Sequence, residues 1–269
     1  MMKFGKYIKD IGNGSFYIEN LSNIEEKYKQ CAYFIENAKN ICVLTGAGIS
    51  TNAGIPDFRS KNGWYSKDPE DILSFNNFIR NPKEVYNFLY KYYKLIDVEP
   101  SISHKLISKL ENIDKNVTII TQNIDKLHHK SGSTDIIEYH GGLDRANCVI
   151  CNKEYSIESV LNEDISKDNF DYKCKCGGYI KPNITLFGED ILEDSFAKKE
   201  VSKADLVIII GTSLQVSPFC TLPYHAPLDT PFIIINKEPT YLDDNRMSIP
   251  MYGDCDLIMK EIFKILNSQ

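Results

Sequence analysis

The eight cysteines are the residues most plainly suited to chemistry, and they are of two kinds. Cys31, Cys42, Cys220 and Cys255 stand alone, whereas Cys148-x-x-Cys151 and Cys174-Lys175-Cys176-Gly177-Gly178 form two close pairs. The pairs read as metal ligands rather than a disulfide framework, because four thiolates on two turns are what a closed tetrahedral zinc site uses. A closed site has no open coordination position with which to activate water. The expected metal, one zinc held by Cys148, Cys151, Cys174 and Cys176, is therefore structural. The second pair is one residue tighter than the usual knuckle, which leaves reduced thiols as the alternative.

A second constellation lies at the ends of apolar runs. Ile41-Cys42-Val43-Leu44, of strand length, leads directly into T-G-A-G-I-S-T-N-A-G-I-P-D-F-R over 45–59. Gly46 and Gly48 lack a Cβ, so backbone amides there can approach a charged ligand, and a cofactor pyrophosphate is the common one. A dinucleotide fingerprint wants a third glycine where Thr51 stands, so the match to a hydride-transferring dehydrogenase is partial; a plain strand-to-helix turn is the alternative.

Further runs end in Gln122-Asn123-Ile124-Asp125, His140-Gly141-Gly142, Gly211-Thr212-Ser213 and Asn236-Lys237-Glu238. Ligands of open α/β sheets bind outside the carboxyl ends of the strands, so these residues would share one crevice. Singly, each has a bland explanation: Asn and Asp begin turns, Ser and Thr cap helices, and a lone His is commonly structural. Their joint occurrence is what suggests a site. His140 is the most pointed member, since a neutral imidazole can take a proton near neutral pH, and Asp125 offers a carboxylate beside it. His104, His128, His129 and His225 have no comparable setting and read as structural or exposed.

The elements that must hold these residues alternate helix and strand. The runs ending at Leu44, Ile120, Ile137, Ile210 and Ile235 carry Ile and Val on consecutive positions, as strands buried on both faces of a parallel sheet do. The predicted fold is α/β, a Rossmann-like doubly wound parallel sheet. Ile24, Tyr28, Cys31, Ile35 and Ala38 mark an opening helix, preceded by Ser22-Asn23-Ile24-Glu25 in the form of a capping box. A closing helix over 256–266 carries Ile258, Ile262 and Ile265 on one stripe, with Asp256 placed to cap. Two stretches break the rhythm: 62–104, helical and aromatic-rich, and 142–181, which contains the cysteine pairs. Both are expected to be insertions forming a small lobe, with the sheet domain assembled from 1–61, 105–141 and 182–269.

A chain of 269 residues can bury a sizeable core, and its formal charge of -6, with no Lys/Arg cluster, argues against nucleic acid as a direct partner. Apolar runs such as 206–210 are far too short to span a bilayer, and residues 1–6 lead into no apolar h-region. A soluble intracellular protein is expected, cytoplasmic with the nucleus left open; oligomeric state is not legible.

Taken in order, G-A-G-I-S, G-I-P-D-F-R, T-Q-N-I-D, the H-G at His140, the two cysteine pairs, F-G-E at Phe187 and G-T-S-L-x-V resemble the sirtuin family, from about Cys31 to the C-terminus. The resemblance implies an NAD-dependent protein lysine deacylase with a Rossmann-type domain and a small lobe of helical and zinc-binding insertions. The implied chemistry is attack of an acyl-lysine oxygen on C1′ of the nicotinamide ribose, with release of nicotinamide and transfer of the acyl group to ADP-ribose. By the same resemblance His140 is the base, and Gln122, Asn123 and Asp125 arrange the nicotinamide ribose. Ile55, Asp57, Phe58, Ile124 and Asp125 form the nicotinamide pocket, while Ala47, Gly48, Ser50, Thr51 and Arg59 surround the diphosphate. Gly211, Thr212, Ser213, Asn236, Lys237 and Cys255 meet the adenosine end, and Phe187-Gly188-Glu189 offers an edge for a peptide strand. No arginine near Asn236 is placed to hold a 2′-phosphate, which favours NAD over NADP.

Family members that prefer acidic acyl groups carry a Tyr-x-x-Arg pair, and Leu89 and Tyr92 stand at its places, which favours acetyl or a longer apolar acyl group. The aromatic residues over 86–93 either line an acyl channel or, at helical spacing, belong to the core. An ADP-ribosyltransferase or NAD hydrolase would use the same crevice with a different acceptor. A non-catalytic NAD-sensing module would be expected to lack His140 or Asp125, and both are present.

Overall fold

The computed structural model describes residues 6–12, 15–19, 21–58, 63, 69–112, 115–162, 165 and 172–268. The chain opens with an antiparallel hairpin, β1 (Ile8–Gly12) and β2 (Ser15–Ile18), whose Ile8 and Ile18 are buried in the larger of two cores. Helix α1 (Ile24–Asn37) then leads to β3 (Asn40–Thr45) and a 3-10 segment, Ala47–Ala53. Two short helices, α2 (Pro69–Ile72) and α3 (Phe75–Arg80), and the longer α4 (Pro82–Leu95) come next, before α5 (Ile102–Glu111), β4 (Asn116–Thr121), α6 (Leu127–Lys130) and β5 (Ile136–Glu138). A second sheet is made by β6 (Gly141–Cys148), β7 (Glu154–Ser156) and β8 (Ile180–Ile184), with α7 (Ile157–Val160) between the last two. The chain finishes through α8 (Asp194–Val201), β9 (Leu206–Ile210), a 3-10 segment Phe219–His225, β10 (Phe232–Asn236), β11 (Ser248–Tyr252) and α9 (Cys255–Leu266).

The main sheet is wholly parallel, in the order β11-β10-β9-β3-β4-β5. Its central strands are apolar on both faces for a physical reason: every residue of β9, Leu-Val-Ile-Ile-Ile, is buried, and each such side chain contributes about 1.5–3 kcal/mol by leaving water. β11, which the sequence pattern does not reveal, contains Pro250; it is an edge strand, where a missing N–H is tolerated. Among the described residues no helix is long and apolar enough to cross a membrane.

Two expected caps fall elsewhere. α1 is capped by Asn23, which accepts from the Glu25 N–H at 2.9 Å, rather than by Ser22. α9 is capped by Asp254, whose Oδ1 accepts from the N–H groups of Asp256 at 2.9 Å and Leu257 at 3.0 Å. Asp256 turns instead to the start of α5, where it accepts from the N–H groups of Ile102 at 3.1 Å and Ser103 at 2.8 Å and from the Ser103 hydroxyl at 2.6 Å. An acidic residue of the last helix thus satisfies N-terminal donors of an earlier one that have no partner within their own helix. α1 and α5 both pack against α9.

The second core draws Phe78, Val85, Tyr86, Leu89 and Tyr92 from the helices and Leu143, Ala146, Ile157 and Val160 from the three-stranded sheet and α7. The helices over 69–95 and the three-stranded sheet with α7 therefore bury their apolar faces against each other. Ile55 and Ile124, from loops of the main sheet, join the same core.

Candidate active site

The chain runs outward from β3 to β4 and β5, returns to β9 beside β3, and then runs outward the other way to β10 and β11. The loops leaving β3 and β9 therefore diverge, which opens a crevice at the topological switch point. The turns themselves are bound backbone to backbone, Gly46 N–H to Ile210 O at 3.2 Å and Gly48 N–H to Gly211 O at 2.8 Å. A Cβ on Gly48 would lie 2.8 Å from Gly211 Cα and O, and one on Gly211, which has φ +63, would lie 2.2 Å from Ile49 N. These glycines bring two turns together as well as leaving room for a ligand. The chain past Gly48 is a 3-10 segment with Thr51 Oγ1 donating to Gly48 O at 2.9 Å. The segment that follows the turn is therefore not the α-helix whose close packing on the strand the third glycine of a dehydrogenase fingerprint serves.

The crevice encloses about 780 Å³. Fifteen predicted residues line it: Ala47, Gly48, Thr51, Asp57, Phe58, Gln122, Asn123, Ile124, His140, Gly211, Thr212, Ser213, Asn236, Lys237 and Cys255. Ser50, Ile55 and Asp125 do not reach the wall; they are buried behind it. Arg59 lies outside the described residues. The wall also includes Leu73, Ile184 to Glu189, Ile191, Gln215 to Pro218 and Asp254. Of these, the F-G-E and L-x-V motifs were the available signals; nothing in the sequence marked Leu73.

His140 Nδ1 lies 3.2 Å from the Gln122 carbonyl oxygen. A carbonyl can only accept, so Nδ1 carries the hydrogen and Nε2 keeps its lone pair. Burial holds the imidazole below its ordinary pKa, at about 4, against a weaker opposing effect of the Gln122 bond, so the ring is neutral near pH 7. Asp125 is not the carboxylate partner of this histidine that the sequence suggested. Its Oδ2 accepts from Ser50 Oγ at 2.7 Å and its Oδ1 from Leu127 N–H at 2.9 Å. Burial pushes the Asp125 carboxyl up, and these hydrogen bonds oppose the shift. Asn123 Nδ2 donates to Gly46 O at 3.1 Å and Ser50 Oγ at 3.3 Å, tying the β4 loop to the β3 turn. Gln122 Nε2 donates to Thr212 Oγ1 at 2.9 Å, which ties it to the β9 turn. The other histidines behave as read: His104 and His128 are buried, and His129 and His225 are exposed.

The wall over 184–191 is braced by Glu189, whose Oε2 accepts from Leu186 N–H at 2.8 Å and pairs with Lys181 at 2.9 Å. Of the Phe187-Gly188-Glu189 run expected to offer an edge to a peptide strand, Phe187 is paired within the chain. Its N–H donates to Leu73 O at 2.9 Å and its carbonyl accepts from Phe75 N–H at 2.9 Å, a parallel bridge to the helical segment. None of residues 86–93 lines the crevice, and Tyr86, Leu89 and Tyr92 are core.

The four paired cysteines converge at the far end of β6. Their Sγ atoms all lie within 4.8 Å of one another, with Cys148 to Cys176 at 3.3 Å and Cys151 to Cys174 at 3.7 Å. Zn–S bonds of about 2.3 Å in a tetrahedron place sulfurs about 3.8 Å apart, so this donor set fits zinc. The turn is shaped for the purpose: a Cβ on Gly178 would stand 2.7 Å from Cys148 Sγ. β6 begins beside His140 and ends at Cys148, and eight strand residues span roughly 23 Å, so the cysteines are remote from the crevice.

The Sir2 family model matches residues 46–218. An NAD-dependent protein deacetylase of Listeria innocua is 37% identical over 234 residues, covering 86% of this chain and 93% of the relative. An NAD-dependent protein deacylase 2 of Archaeoglobus fulgidus is 36% identical over 225 residues, 82% of this chain and 88% of its own length. Among solved structures, a Sir2 complex with p53 peptide and NAD+ superposes with a TM-score of 0.79 at 31% identity, covering 90% of this chain and 99% of that one. A Sir2 complex with deacetylated p53 peptide and 3′-O-acetyl ADP-ribose gives 0.80 at 33% identity, covering 88% and 97%.

Proposed function

This chain belongs to the Sir2 family, and from that premise we propose an NAD-dependent protein lysine deacylase that acts on acetyl-lysine in peptides or proteins. Bound NAD would supply a ribose C1′ that takes the acyl oxygen as nicotinamide leaves, and one water is consumed as the acyl carbon–lysine nitrogen bond breaks, so the products are free lysine, nicotinamide and O-acyl-ADP-ribose. The glycine-walled crevice, closed on one side by backbone that would clash with any Cβ, fits a dinucleotide.

One observation carries the assignment of roles. A neutral imidazole with Nδ1 committed to Gln122 lines the same crevice as the two glycine turns. His140 Nε2 is the base that removes a ribose hydroxyl proton after nicotinamide has left. Gln122 and Asn123 hold the nicotinamide ribose. Asp57, Phe58 and Ile124 form the nicotinamide end, with Ile55 supporting them from behind. Asp125 and Ser50 act on the cofactor through Asn123 and the β3 turn, which their hydrogen bonds fix. Ala47, Gly48, Thr51 and Arg59 serve the diphosphate, and Gly211, Thr212, Ser213, Asn236, Lys237 and Cys255 the adenosine. Cys148, Cys151, Cys174 and Cys176 hold a structural zinc.

Leu89 and Tyr92 stand where an acid-preferring relative would need a Tyr-x-x-Arg pair, and both are buried in the second core, where Tyr92 stacks on the crevice residue Phe58 with ring centroids 6.3 Å apart, so neither offers a cation to an acidic acyl group. Acetyl is therefore preferred to succinyl. Mass spectrometry of the products from NAD and an acetyl-lysine peptide tests the reading: O-acetyl-ADP-ribose and nicotinamide in equal amounts are expected. Free or protein-linked ADP-ribose with the peptide still acetylated would instead mark a hydrolase or transferase.

A further inference from the structure

Tyr139 precedes His140 and is 1% exposed, buried in the core beneath the crevice. Its ring meets two others edge-on, His140 at 5.4 Å and 63° and Phe219 at 5.2 Å and 80°. Its hydroxyl donates to Asp194 Oδ1 at 2.6 Å, and Asp194 Oδ2 pairs with Lys198 at 2.6 Å. Burial alone would raise the Asp194 carboxyl, but the bonds from Lys198 and Tyr139 hold it below its ordinary value, so it stays an ionised acceptor.

Three parts of the crevice wall meet at this ring. His140 is its direct neighbour in the chain, the wall over 184–191 runs on into α8 at Asp194, and the wall over 215–218 runs on into the 3-10 segment at Phe219. The His140 side chain is tied by its hydrogen bond to Gln122 O at 3.2 Å, the long end of the ordinary range, and one such bond fixes a point on the ring but not its tilt. A second fixed contact is needed to aim Nε2, and the Tyr139 edge is positioned to provide it.

We propose that Tyr139, locked by its hydroxyl to Asp194, is a positioning residue for the His140 base and couples the aim of that base to the wall over 184–191. The proposal rests on His140 being the base. Misplacing a reacting group by about 1 Å can cost roughly 100-fold in rate, and a tilt of the ring is a smaller displacement, so a loss of about 10-fold is expected. The loss should fall on the step the base serves and spare the earlier release of nicotinamide.

Tyr139→Phe keeps the ring and removes the anchor. Asp194→Ala removes the anchor from a side chain that is 22% exposed, so it provides a folded variant if the first does not fold. Asp194→Asn can still accept the hydroxyl through Oδ1. In single turnovers with NAD and an acetyl-lysine peptide, Tyr139→Phe and Asp194→Ala should release nicotinamide at close to the wild-type rate and form O-acetyl-ADP-ribose about 10-fold more slowly; Asp194→Asn should restore most of that rate. Folded Asp194→Ala that forms product at the wild-type rate would overturn the proposal, as would parallel loss of both steps and of NAD affinity without rescue by Asn. His140→Ala, run alongside, distinguishes the two failures: normal product formation there would remove the base assignment itself.

Discussion

Replacing Gly48 by alanine tests whether the nucleotide site depends on the close approach of the β3 and β9 turns. The new Cβ would stand 2.8 Å from Gly211 Cα and O, whereas carbon atoms in contact lie about 3.5–4.0 Å apart. Relief requires the turns to separate by about 1 Å, because every atom met is backbone and cannot rotate away. That movement stretches the 2.8 Å bond from Gly48 N–H to Gly211 O. Overpacking of this kind costs about 1–3 kcal/mol, which for a chain of this size lowers Tm by roughly 3–10 °C. The same opening displaces the N–H groups and side chains that would hold the diphosphate, so NAD affinity should fall by about 10-fold or more. Thermal melting and titration calorimetry with NAD measure the two effects. Gly12→Ala is the control: Gly12 has φ +89 and nothing within 4 Å of an added Cβ. That variant should lose about 1–2 kcal/mol from backbone strain and bind NAD normally. Wild-type NAD affinity in Gly48→Ala, or an equal loss in Gly12→Ala, would refute the reasoning.

Three further outcomes are expected. The acid limb of kcat/KM should lie well below pH 6.5, because burial holds His140 at about 4 and keeps it a competent base down to that range; a limb at or above 6.5 would contradict this. Stability should fall as pH drops from about 6.5 to 4. His104, held at about 4 by burial, and His128, held low by burial and its histidine neighbours, take up protons more readily in the unfolded chain. The full contribution is therefore present above pH 6.5, and about 3 kcal/mol is lost by pH 4 for His104 alone; urea melts that do not change between pH 7.5 and 5 would refute it. Removal of zinc by a chelator should lower Tm and expose the second core to a hydrophobic dye, with about one zinc released per chain; metal-free protein of unchanged stability would contradict a structural role.

The parallel sheet was legible because its inner strands need apolar residues on consecutive positions, and β3, β4, β9 and β10 supply them. β11 was not, since Ser248 and Pro250 interrupt the pattern at an edge that can tolerate both. The crevice could be located from the polar residues at the carboxyl end of each strand, yet its hydrogen bonds could not be assigned. Asp125 is three residues from Gln122, but its carboxylate is committed to Ser50 and Leu127, and the histidine faces a carbonyl instead. Sequence gives which residues share a rim; side-chain pairing depends on how the rims are packed. The same limit applies to Phe187-Gly188-Glu189, expected as an edge for a peptide, where the chain's own Leu73 and Phe75 take the Phe187 N–H and carbonyl. It applies also to the caps, since Asp254 and Asp256 are both suited to begin α9 and only the position of α5 decides between them.

The run Asp254-Cys255-Asp256 has a practical consequence for making fragments. Asp254 starts its own helix and accepts from Asn52 Nδ2 beside the β3 turn at 2.9 Å, Cys255 faces the crevice, and Asp256 holds the start of α5. Cutting the chain before α9 would do more than shorten it. The deletion would leave donors of α5 without their carboxylate, release the far side of the glycine turn, and expose the core surface that Ile258, Met259, Ile262 and Phe263 cover. A minimal catalytic fragment of this protein therefore has to extend through α9, even though the motifs that announce its chemistry end some forty residues earlier.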